Sequence, residues 1–126
     1  MPPLDPVEFI AKHRATTTTC DAAEAARRIR ERGDLLVVDV REPAEFAAGA
    51  VEGAVNIPRG MLEFQIGSAC ESEQPSILLH CKSGGRAVLA ARTLRDMGYE
   101  DVVVYAGPIE DLLAACDSAG SEAGRG

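Results

Sequence analysis

The chain has 126 residues, enough for one domain and one hydrophobic core but not for two. Hydrophobic residues make up 46% and charged residues 26%, with 12 Gly and 7 Pro, which excludes collagen-like, coiled-coil and wholly disordered classes. With 13 Lys+Arg against 20 Asp+Glu the net charge is -7, which opposes phosphate backbones and anionic surfaces, so neither nucleic acid nor membrane is an expected partner.

Residues 1–18 read as a lightly ordered lead-in with a short helix about Val7 to His13. The opening Met-Pro-Pro-Leu-Asp-Pro has neither the basic start nor the apolar stretch of a secretion signal, and no apolar run approaches bilayer length. A cytoplasmic location is the expectation. The domain proper is expected over 19–116. Asp21 followed by Glu24 is a capping-box pattern, and Ala22, Ala25, Ala26 and Ile29 share one helical stripe that ends before Gly33. The basic run Arg27 to Arg32 is broken by Ile29 and Glu31 and reads as a solvated helix face.

Leu35 to Val40 is a nearly continuous apolar run rich in β-branched residues, the pattern of a strand covered on both faces in a parallel sheet. Ile77 to His80 and Val102 to Tyr105 repeat it. Pro43 suits the first turn of a short helix to Ala48, and Met61 to Ile66 predicts another. Arg86 to Met97 is the clearest helix, with an apolar stripe of Ala87, Ala90, Ala91, Leu94 and Met97 and Gly98 at a left-handed C-cap position. Pro108 to Ala115 predicts a last helix, and 117–126 a flexible tail. The alternation predicts an α/β class: three layers, a mostly parallel central sheet with helices on both faces.

Ligands of such sheets bind beyond the carboxyl ends of the strands. Asp39 to Glu42, Cys81 to Arg86 and Ala106 to Pro108 should meet there. The segment Cys81-Lys82-Ser83-Gly84-Gly85-Arg86 places a nucleophile directly after a strand, then a two-glycine loop, then a helix start. That layout lets successive backbone N–H groups curl around one atom, and the positive helix end would stabilise an anionic sulfur. Lys82 and Arg86 add charge, Arg86 with a planar donor fork suited to an oxyanion. A phosphate-binding loop of the G-x-x-x-x-G-K-[ST] type is absent. His80 precedes Cys81 on the strand, so it should face the opposite side and serve structure. Cys20, Cys70 and Cys116 are scattered, with no C-x-x-C pair and only two His in the chain. They read as buried or idle thiols, and no metal or other cofactor is expected.

These residues resemble the single-domain rhodanese-like sulfurtransferases from about Thr19 to about Leu113. The resemblance rests on Asp39-Val40-Arg41-Glu42 with Pro43, Glu45 and Phe46, on Gly53-Ala54-Val55-Asn56-Ile57-Pro58, and on the Cys81 to Arg86 loop. It implies that Cys81 carries a sulfane sulfur as a persulfide. Lys82, Ser83, Gly84, Gly85 and Arg86 would bind a small anionic donor such as thiosulfate, and a thiol, a protein acceptor or cyanide would then remove the sulfur. It also implies that Asp39 and Arg41 lie beside the loop, where bracing it is favoured over touching substrate. No oligomeric state is implied. The alternatives are a cysteine phosphatase or arsenate reductase of related fold, whose loops carry five residues between Cys and Arg where this chain has four, and a non-catalytic binding module, which retention of Cys81 opposes. Two departures stand out: Gly49-Ala50-Val51-Glu52-Gly53-Ala54 replaces the usual Gly-His-Ile-Pro-Gly-Ala, and Leu112 stands near where a Trp is common.

Overall fold

The computed structural model describes residues 1–125, the side chains as far as Ser118. Five strands form one sheet: β1 (Thr19–Cys20), β2 (Leu35–Asp39), β3 (Val55–Asn56), β4 (Ser76–His80) and β5 (Asp101–Tyr105). Their order is β1-β5-β4-β2-β3 and every pairing is parallel. β2, β4 and β5 are the three apolar runs. They pair side by side in the middle of the sheet, because only a position covered on both faces rewards a run without polar alternation. The two-residue edge strands β1 and β3 carry no periodic signal and were not expected from the sequence.

Alternation along the strands divides the core. Val38, Val40, Ile77, Leu79, Cys81, Val102 and Val104 face one side, under α4 (Leu62–Ala69) and α5 (Gly85–Asp96). Val37, Leu78, Val103 and Tyr105 face the other, under α2 (Ala22–Glu31) and α6 (Ile109–Arg125). Leu62, Ile66 and Leu94 are fully buried on the first side and Leu112 on the second. Each such side chain stabilises the fold by roughly 1.5–3 kcal/mol relative to exposure. Leu112 thus holds the last helix to the sheet.

Local capping follows the sequence closely. The carboxylate of Asp21 accepts the Glu24 N–H at 2.8 Å at the start of α2. Gly98, at φ 101°, follows the last turn of α5. Arg27 and Arg28 pair with Glu24, and Arg27 also with Glu31, so the basic run of α2 is neutralised on its own helix.

The lead-in has the short helix expected of it, and the last helix runs past its expected end. The lead-in contains a nine-residue helix, α1 (Pro6–Arg14), capped by Asp5 and packed on α5. Ile10 joins the core, the Arg92 guanidinium lies 5.7 Å from the Phe9 ring, and Arg95 donates to the Thr16 carbonyl at 2.6 Å. The lead-in is therefore attached to the folded body between Phe9 and Thr18. The last helix, expected to stop at Ala115, continues to Arg125, so nearly all of the expected tail 117–126 is helical backbone; Gly126 lies outside the described residues. α3 (Pro43–Ala48) matches its expected span, and a 3-10 turn at Arg59–Met61 leads into α4.

Candidate active site

β4 ends at His80, and Cys81 sits at its carboxyl end between the ends of β2 and β5. The Val40 N–H donates to the His80 carbonyl at 3.0 Å, which carries the β2–β4 pairing up to the nucleophile. Cys81 is 1% exposed, in the α5-side core with Val40, Ala87 and Ala106. The chain then turns sharply enough for the Gly84 N–H to donate to Cys81 Sγ at 3.1 Å. Gly84 opens α5 with φ 111°, and its carbonyl accepts the Val88 N–H at 2.9 Å. The sulfur therefore lies against a backbone donor at the positive end of a twelve-residue helix, where negative charge is stabilised.

Gly84 is required by space, and Gly85 sits tightly against a side chain. A Cβ on Gly84 would overlap the Ala106 carbonyl oxygen and come within 2.8 Å of its carbon, and one on Gly85 would meet Ile10 Cδ1 at 3.0 Å. The other wall is fixed by the Ile109 N–H, which donates to the Lys82 carbonyl at 2.9 Å and ties the loop to the start of α6. Tyr105 donates its hydroxyl to the Pro108 carbonyl at 2.7 Å, bracing the Ala106-Gly107-Pro108 segment. Lys82 and Ser83 are exposed on the loop.

Arg86, expected as an open donor fork, is engaged. Its two terminal nitrogens donate to the two carboxylate oxygens of Glu45 on α3, at 2.7 and 3.1 Å. Glu45 also accepts the Glu42 N–H at 3.0 Å. Arg86 first and this N–H second hold the Glu45 carboxyl down at about 2. In the sequence Glu45 stands out only as part of the Asp39 to Phe46 motif. Its place three residues after Glu42, behind a helix-starting Pro43, was the available sign that it turns inward.

Asp39 and Arg41 lie in the layer beneath. Asp39 is 0% and Arg41 6% exposed. The guanidinium donates to both Asp39 oxygens at 2.8 to 3.0 Å and to the Gly49 carbonyl at 2.8 Å. The Asn56 side-chain amide donates to the carbonyls of Asp39 and Arg41 at 3.0 and 2.9 Å. The two charges thus spend their hydrogen bonds on the protein, tying the end of β2 to the segment after α3. His80, on the opposite face of β4 from Cys81, is fully buried, and burial lowers its pKa. Cys20 and Cys116 are half-buried, and burial raises both thiols.

Residues 21–115 match the family model of the rhodanese-like domain. A sulfurtransferase of Allochromatium vinosum is 28% identical over 89 residues, covering 71% of this chain and 81% of the relative. A protein of unknown function from Rhodopseudomonas palustris, described as a possible tyrosine phosphatase, matches in structure with a TM-score of 0.75 at 27% identity, over 95% of this chain and 96% of that one. A human single-domain sulfurtransferase matches with a TM-score of 0.66 at 28% identity, over 78% of this chain and 96% of the human chain.

Proposed function

The chain belongs to the rhodanese-like domain family, and on that premise we propose that it moves a sulfane sulfur from a small anionic donor to a thiol or cyanide through a persulfide on Cys81. The observation that carries this reading is the placement of Cys81 Sγ at the end of β4, 3.1 Å from the Gly84 N–H at the N-terminus of α5. A backbone donor there can meet the negative charge carried by the attacking sulfur and by the persulfide that forms from it.

With thiosulfate as donor, the Cys81 thiolate attacks the outer sulfur. A new S–S bond forms to Cys81, the S–S bond of thiosulfate breaks, and its electron pair leaves with sulfite. Charge is conserved: a thiolate and a dianion become a persulfide anion and a dianion. In the second half an acceptor thiolate or cyanide attacks the outer sulfur, and the Cys81 thiolate is returned. Lys82 stands exposed on the loop to meet the donor. Asp39 and Arg41 act at a distance, by holding the end of β2 beside the loop.

Intact mass after treatment of the reduced protein with thiosulfate tests the reading. A gain of about 32 Da on the parent and none on Cys81→Ser is expected. No gain, together with hydrolysis of an aryl phosphate, would move the protein to phosphoryl chemistry. The four residues between Cys81 and Arg86, against five in the cysteine phosphatases of related fold, weigh against that outcome.

A further inference from the structure

We propose that Glu45 is a specificity-determining residue: by pairing with Arg86 it leaves the mouth of the Cys81 loop without net positive charge, so that the site prefers donors carrying a single negative charge to dianions. The inference rests on the sulfurtransferase reading and names the donor class that this site favours.

Three observations carry it. The Arg86–Glu45 pair is bidentate, so both terminal nitrogens that would clasp an oxyanion are already committed to a carboxylate. The pair is reinforced from α3, because the Glu42 N–H donates to the same Glu45 oxygen that accepts from Arg86. Glu45 foremost, and Glu42 more weakly, raise the Arg86 pKa, so carboxylates already act on the guanidinium before any donor arrives. Lys82 is the remaining cation of the loop and makes no ion pair among the described residues. Lys82 and Arg86 are thus matched by Glu42 and Glu45. The side chains of Arg86 and Glu45 remain 37% and 31% exposed, within reach of an incoming ligand.

A donor pair that differs in one charge reads this directly. Methanethiosulfonate is thiosulfate with a methyl group in place of one anionic oxygen, and it transfers the same outer sulfur, releasing methanesulfinate where thiosulfate releases sulfite. Sulfur transfer to cyanide is measured with both donors for the parent, Glu45→Gln and Glu45→Asp. The parent should show the lower KM for methanethiosulfonate. Glu45→Gln keeps an oxygen for the Glu42 N–H but frees the Arg86 charge, and should lower the thiosulfate KM about fivefold relative to the methanethiosulfonate KM. Glu45→Asp, which restores the charge, should move that ratio back toward the parent's.

A purely structural role would depress kcat with both donors alike and leave the ratio where it was. A parent that loads both donors but binds thiosulfate as well as methanethiosulfonate overturns the proposal without any variant, as does an unchanged ratio in Glu45→Gln. Failure of both donors to add a sulfur mass to the parent overturns the sulfurtransferase reading itself, and the charge preference with it.

Discussion

The backbone of Gly84 lies directly against the carbonyl of Ala106, with no space for a side chain between the carboxyl end of β5 and the loop that holds Cys81. Two constraints coincide at this residue: φ of 111°, which L side chains rarely adopt, and a Cβ position only 2.8 and 2.9 Å from the Ala106 C and Cα atoms. Neither obstacle is a flexible side-chain end, so the loop must move. Gly84→Ala should lower stability by about 2–4 kcal/mol and displace the N–H that contacts Cys81. Urea unfolding and the rate of sulfur loading would both register it. A midpoint and a rate equal to the parent's would show that the loop accommodates a Cβ.

Beneath the loop, the buried Asp39–Arg41 pair makes a separate prediction. Removing Asp39 leaves a guanidinium that is 6% exposed with only the Gly49 carbonyl as a partner. Asp39→Ala should therefore cost about 3–5 kcal/mol, whereas replacing both residues with apolar ones of similar volume should cost much less. A double-mutant cycle in urea measures the coupling. Additive effects of the two single changes would mean that the pair contributes little beyond packing.

The same contrast between local and distant signals explains what was legible in the sequence. Leu35 to Val40, Ile77 to His80 and Val102 to Tyr105 announced themselves because burial on both faces selects apolar residues along nearly the whole strand, with Asp39 and His80 as the buried exceptions. The Cys81 loop was legible because tight backbone approach demands glycine locally. β1 and β3 were not, since two residues carry no period. The continuation of α6 through Ser118-Ala-Gly-Ser was hidden by residues of low helix propensity. The Glu45–Arg86 pair joins residues 41 positions apart and is decided by how α3 sits beside α5. So is the seating of Ile10 against Gly85, which made the lead-in look independent of the core.

The Glu45–Arg86 pair should also have a pH signature in stability. The folded Glu45 carboxyl is held at about 2 against an ordinary value of 4.5. A depressed carboxyl stabilises the fold fully above the unfolded value and loses that contribution as pH falls through the folded one. Melting temperatures of the parent and Glu45→Gln should thus differ by a constant amount from pH 7 to about pH 5 and converge between 4.5 and 2. Both exposed side chains keep the expected gap small. A gap that persisted unchanged at pH 2 would show that it arises from packing and not from charge.

His80 should act on stability through pH in a higher window. It is fully buried, and neither ring nitrogen reaches hydrogen-bond geometry with a partner. Burial lowers its pKa from 6.5, and Arg41 works in the same direction. Asp39 and the Cys81 backbone oppose them without prevailing. The unfolded chain therefore binds a proton at a pH where the folded chain still excludes it, so stability is full above 6.5 and declines as pH falls toward the folded pKa. His80→Leu, similar in volume and unable to titrate, should show a flatter profile than the parent between pH 7 and pH 5, gaining relative stability at the acid end. Urea midpoints at both pH values test this. Parallel profiles for the two proteins would mean that the imidazole takes up its proton in the fold as readily as in the unfolded chain.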